Sequence, residues 1–267
     1  MNTELPISES QLSALTHDLD EAHHDSLPQM QRSVAEWTER LHDLTHGRAV
    51  GRRAFVVSGG VLGGGLALAA CSSSDGGTAS GADSSTTSGA PASTEGSDVD
   101  DDLKVATLAA GLENLAVNTY KAAIDAVGAG SLGNVPPAVA EFAKTVMGQH
   151  SDHAAAWNQV LTGAGKPAVT GVDKTVDDAV VKPGFAKVKS VPDLAKFALS
   201  LENVAAATYL NGIQNALSQA SAIKLAATIQ PVEMQHASIL LLLLGEYPIP
   251  DKFATITGAR PLSDTIA

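Results

Sequence analysis

Two nine-residue segments constrain this chain more than anything else in it. They are Leu112-Glu113-Asn114-Leu115-Ala116-Val117-Asn118-Thr119-Tyr120 and Leu201-Glu202-Asn203-Val204-Ala205-Ala206-Ala207-Thr208-Tyr209, six of nine positions identical at a spacing of 89. Each sits in an Ala- and Leu-rich stretch whose apolar residues recur three and four apart, the period of a helix packed on one face. A repeat of this kind implies duplication of a helical hairpin, the smallest unit that buries such a face only against its copy.

The rest of the chain supports that reading. The periodicity predicts helices over 103–128, 136–162, 191–217 and 220–245. Asp100, Asp101 and Asp102 stand where a helix N-terminus favours negative charge. Gly128-Ala129-Gly130 followed by Pro136-Pro137 marks the first turn. Ser190-Val-Pro-Asp193 reads as a cap with proline in the first turn of the third helix. Between the second and third helices lies a long crossover containing Gly163, Gly165, Pro167, Gly171, Pro183 and Gly184. Short turn, long crossover, short turn is the order of an all-α four-helix bundle with one crossover. The bundle is placed at 103–250 and a C-terminal tail at 251–267. Pro231 removes one hydrogen bond from the fourth helix. The run Leu240 to Leu244 reads as core, with a homo-oligomer contact as the other reading.

The first 102 residues differ in composition. Residues 1–50 are polar, carry two helical patterns near 8–25 and 29–46, and hold five of the eight histidines: His17, His23, His24, His42 and His46. They read as a cytoplasmic extension, or as the product of a start annotated too early, with Met30 or a later site in use. Arg52-Arg53-Ala54-Phe55-Val56-Val57 resembles a twin-arginine export motif, and Leu68-Ala69-Ala70-Cys71 resembles a bacterial lipobox. The apolar run Ala54 to Ala70 is 17 residues with five glycines, weak for a permanent membrane span. Residues 51–71 therefore read as an export signal, with Cys71, the only cysteine, as a lipid anchor. Residues 72–102, rich in Ser, Gly, Thr, Ala and Asp, read as a disordered tether. The partners this implies are the twin-arginine translocase, a signal peptidase and the membrane. The implied location is the outer face of the cytoplasmic membrane.

Beyond Cys71 only three histidines remain: His150, His153 and His236. His150 and His153 are three apart, as are Glu233 and His236, so each pair shares a helix face. Glu113 and Glu202 head the duplicated segments. Glu113 and His150 are equidistant from the first turn, and Glu202 and Glu233 from the junction of the last two helices. Each hairpin thus brings its own candidates level, and pseudo-twofold packing converges all six. Glu113 is flanked at helical spacing by Ala109, Ala110, Ala116 and Val117, and Glu202 by Leu199, Ala205 and Ala206, so both face inward. Burying a carboxylate without a partner is costly, and a metal ion resolves that cost; a vestigial, purely hydrogen-bonded polar layer is the other reading. Tyr120 and Tyr209, seven residues past their glutamates, read mainly as core packing, with hydrogen-bond donors or radical sinks as alternatives.

This constellation over 103–245 resembles the ferritin-like superfamily, specifically its exported rubrerythrin-like and desiccation-related branch. The resemblance implies a dimetal site with one Glu from each of two helices and Glu-x-x-His from each of the others. Glu113, His153, Glu202, Glu233 and His236 match that pattern. His150 does not, since the family has a metal-bridging glutamate there. Glu141, half a turn off that face, does not replace it. The implied cofactor is a divalent transition metal, iron favoured, with zinc, manganese or copper open; the extra imidazole moves preference toward metals that favour nitrogen donors. The implied function is handling of iron, oxygen or peroxide in the cell envelope. The alternative is a non-catalytic stress or desiccation lipoprotein with a vestigial or single-metal site.

Composition removes other classes. A formal charge of −12 excludes a basic nucleic-acid-binding face. One cysteine excludes a disulfide framework, and aromatics at 4% argue against a β-sandwich.

Overall fold

The computed structural model describes residues 5–45, 94–249 and 255–262. Its elements are α1 (Glu9–Thr45), α2 (Thr94–Gly128), α3 (Pro137–Gly163), α4 (Lys174–Val176), a π-helical turn (Asp177–Val181), α5 (Lys182–Phe185), α6 (Val191–Asn215) and α7 (Ala220–Leu243). Among the described residues there is no strand, and no helix is long and apolar enough to cross a membrane. The candidate export motif and Cys71 lie outside the described residues.

α2, α3, α6 and α7 form the expected bundle, built as two antiparallel hairpins, α2 with α3 and α6 with α7. The signals that place them act locally. Gly130 has φ +69° in the first turn, a backbone conformation that favours glycine, and Pro137 opens α3. The Ser190 hydroxyl caps α6 by accepting from the Asp193 amide. α7 runs unbroken through Pro231.

Asp102 does something other than stabilise its own helix. α2 begins at Thr94, so residues 94–102 are helix and not the end of a disordered tether, and Asp102 stands well inside it. Its buried carboxylate accepts from the Ser218 and Gln219 amides, each at 2.8 Å, and so caps the entry to α7. The crossover is tied down as firmly. Asn114 donates to the carbonyls of Val169 and Gly171, and Asn158 exchanges two hydrogen bonds with Val169. Within the repeated Leu-Glu-Asn triplet, the glutamate serves the interior while Asn114 holds the crossover.

Three further sequence expectations need correction. The two helical patterns in 1–50 are one helix: α1 continues through Pro28. Nor is this segment apart from the bundle, because α1 packs along both α3 and α7. Along one side it buries Leu12, Thr16, Leu19, His23, Met30, Val34, Trp37 and Leu41, with Leu27 partly buried and Ser33 buried beside Val34. Ser33 apart, these recur at gaps of four and three throughout, the spacing of one helical seam. At its far end α1 comes so close to α3 that a Cβ on Gly163 would meet Thr38 Cγ2 at 2.4 Å. Thirdly, part of the tail belongs to the bundle. Arg260 is buried, donates from Nε to Asp173 at 2.9 Å, and accepts no exposure in return for its charge because that carboxylate compensates it.

The leucine run falls on the α1 side as core: Leu240 and Leu243 are buried in the cluster that holds Leu12 and Leu19. Trp37, fully buried, meets the Trp157 ring edge-on at a centroid distance of 6.2 Å. Trp37→Ala should therefore cost about 3–5 kcal/mol of unfolding free energy in a denaturant titration. Unchanged stability would mean that α1 is not part of the folded unit.

A candidate dimetal centre in the bundle core

Glu113 comes from α2, His150 and His153 from α3, Glu202 from α6, and Glu233 and His236 from α7. All six side chains are at most 2% exposed. The structure brings every one of them into a single layer. His150 Nδ1 lies 2.7 Å from Glu113 Oε2, and His150 Nε2 lies 3.4 Å from Glu202 Oε1. His153 Nδ1 is 3.2 Å from Glu233 Oε1, and His236 Nδ1 is 3.2 Å from Glu202 Oε2.

The donor atoms fall into two sets of four, each set within 4.8 Å: Glu113, His150, His153 and Glu233; and His150, Glu202, Glu233 and His236. His150 and Glu233 belong to both. Three atoms in the layer make no hydrogen bond although buried: His153 Nδ1 and both carboxylate oxygens of Glu233. A carboxylate at 0% exposure with neither oxygen hydrogen-bonded is rare, and the imidazoles near Glu233 stand beside it without completing a hydrogen bond. A divalent cation at each set would satisfy all three atoms, and the carboxylate and imidazole donors suit a transition metal.

A family profile for the ferritin-like domain matches residues 101–246, more than half of the chain. The chain belongs to the ferritin-like family. Neither the comparison with curated proteins nor that with solved structures gives a match.

The layer of this ferritin-like bundle is supported by residues that sequence reasoning placed elsewhere. Tyr120 and Tyr209 were expected mainly to fill core. Instead each crosses to the other hairpin: Tyr120 donates to Glu202 Oε1 at 2.5 Å, and Tyr209 donates to Glu113 Oε1. The exchange follows the internal duplication. Trp157 Nε1 donates to the Tyr209 hydroxyl at 2.8 Å, fixing that chain one step further. Two supporting residues were missed altogether. Gln149 Oε1 accepts from His236 Nε2 at 2.8 Å, orienting that ring. His23 of α1 packs its ring 5.3 Å from that of His153, with Nε2 3.2 Å from Asp152. Its place on the four-three seam of α1 was the available signal. Glu141 is remote from the layer, accepting from Ser13.

Electrostatics follow from this packing. Burial opposes ionisation of Glu113, but the His153 and His150 imidazoles outweigh it and hold its carboxyl down at about 2. Glu202 is likewise held well below the carboxylate range by His236 and His150, against burial. Burial also disfavours charging the three imidazoles. The carboxylates win here too, pushing His153 up to about 9 and raising His150 and His236. His23 goes the other way, to about 4, through burial and the neighbouring His153 charge.

Two largely apolar clefts reach this layer between α2 and α6, helices that meet only sparsely. The larger, about 880 Å³ including its open mouth, has Tyr120, His150 and Glu202 in its lining. The smaller includes Glu113, Tyr209 and the C-terminal Leu262.

These shifts fix a pH dependence for metal-free protein. The raised His153 stabilises fully below its unfolded value of 6.5, and that contribution is lost as pH rises through about 9. The lowered Glu113 stabilises above 4.5, and its contribution is lost as pH falls toward 2. Thermal unfolding of metal-free protein should give its highest Tm between these limits. A flat Tm from pH 6.5 to 9.5 would contradict the carboxylate–imidazole pairing.

Proposed function

We propose that this ferritin-like bundle is a dimetal protein that handles iron, dioxygen or peroxide, exported and lipid-anchored at the cell envelope. The observation that carries the metal reading is the unsatisfied pair of Glu233 oxygens beside His153 Nδ1, all fully buried. Glu113 and His153 would serve one ion, Glu202 and His236 the other, with Glu233 and His150 common to both. Bound iron would supply reversible one-electron chemistry toward dioxygen or peroxide. The protein's own part is to hold and insulate. Tyr120 and Tyr209 fix one oxygen each of Glu202 and Glu113, and the other oxygen of each turns to the imidazoles of the layer, where it would meet a metal. α1 covers the α3 and α7 side, and the apolar clefts favour approach of a small uncharged oxidant over that of hydrated ions.

Attachment to the envelope is supported by sequence alone: Arg52-Arg53 for twin-arginine export and Leu68-Ala69-Ala70-Cys71 for lipidation. A pathway that carries folded proteins suits a centre loaded before export. The rubrerythrin-like or desiccation-related placement rests on the same pattern of residues, with His150 as its departure.

Metal analysis of the purified full chain after reconstitution with iron(II) under anaerobic conditions tests the reading. Two ions per chain, and an absorption change on admitting oxygen, are the expected results. Glu233→Ala together with His153→Ala should abolish binding. Under a tenth of an equivalent of any transition metal would leave only a hydrogen-bonded polar layer. In that event apolar replacements at the same two positions should leave stability unchanged or improved.

A further inference from the structure

Resting on the dimetal reading, we propose that His150 joins the two ions as an imidazolate bridge, with one ring nitrogen bound to each. The two donor sets share only His150 and Glu233. Glu233 spans them with its two oxygens, Oε1 toward His153 at 3.2 Å and Oε2 toward His236 at 3.7 Å. His150 spans them in the same sense. Its Nδ1 faces Glu113 at 2.7 Å and Glu233 Oε1 at 3.8 Å, while Nε2 faces Glu202 at 3.4 Å.

A terminal histidine ligand normally gives its second nitrogen to an acceptor outside the metal's own ligand set. His236 does this, with Nδ1 in the centre and Nε2 on Gln149. His150 does not, because both of its nitrogens point at carboxylates of the centre itself.

Charge leads to the same arrangement. Three glutamates carry −3, and two divalent ions carry +4. With three neutral imidazoles the fully buried centre is left with +1, which is costly at this depth. Loss of the last ring proton of His150 to solvent, as both of its nitrogens bind metal, brings the total to zero. A bridging glutamate at this position would achieve the same neutrality with a carboxylate. His150 would thus replace that charge rather than abolish it.

The test is electron paramagnetic resonance of the full chain loaded with copper(II), or with cobalt(II) where copper does not load, alongside metal quantification. The assignment predicts two ions per chain whose spins are exchange-coupled, so that most of the intensity of two isolated ions is lost. His150→Gln, which keeps the volume but offers no second ring nitrogen, should abolish the coupling. His150→Ala should do the same and regain it with added free imidazole. Two bound ions with full uncoupled intensity in the unsubstituted protein, or coupling that persists in His150→Gln, overturns the bridge and leaves the dimetal reading standing. One ion per chain also overturns the bridge. Failure of every metal to load removes both.

Discussion

The structure depends on the pairing of three carboxylates with three imidazoles at the centre of an otherwise apolar bundle. Each group alone would be too costly to bury. Together they shift one another, Glu113 and Glu202 downward and His150, His153 and His236 upward, until the charged forms persist at full burial. Three carboxylates face three imidazoles here, whereas a glutamate at position 150 would set four carboxylates against two imidazoles. Exchange of one carboxylate for His150 therefore lets the metal-free bundle exist without a large internal charge.

Everything around the layer restrains those six groups. The two hairpins are held to each other by Tyr120 and Tyr209, which reach across to the other hairpin's glutamate. Gln149 and Trp157 restrain His236 and Tyr209 in turn. Such buried polar networks are worth having only when nearly every member is satisfied. Among the six groups of the layer the exceptions are His153 Nδ1 and both oxygens of Glu233, a residue common to the two donor sets. That coincidence is compatible with a metal site.

Much of this was legible in the sequence, for reasons specific to a duplicated hairpin. Two copies of Leu-Glu-Asn at one spacing, with His150 and Glu233 matched to their glutamates across the turns, place six residues at one height without knowledge of tertiary structure. α6 starts where Ser190 and Pro192 put it, and the first turn follows its glycines and prolines. What escaped was everything set by contact between elements. The seven-residue offset puts Tyr120 on the face of Glu113, yet its acceptor lies on another helix, and one helix's periodicity cannot show that. Asp102 looked like a helix-start charge but caps a distant helix. α1 was set aside because an export signal follows it, although its four-three seam from Leu12 to Leu41 was readable and carries His23 into the bundle.

That seam constrains the export reading. Cys71 lies between α1 and α2, so processing there would leave α1 attached only by its contacts with α3 and α7. Leu12, Leu19, Met30, Val34, Trp37 and Leu41 are all buried, and at about 1.5–3 kcal/mol for each large apolar side chain their burial rivals the several kcal/mol that a separate segment loses in freedom on binding. Were the chain cleaved there, these contacts alone would have to hold α1 as a non-covalent fifth helix. Its departure would uncover Trp157 and the His153 side of the centre to water. The intact masses of the chains that co-purify from membranes decide between these states. A bundle beginning at Cys71 together with a separate α1 peptide means retention, and the bundle alone means that export itself opens the centre.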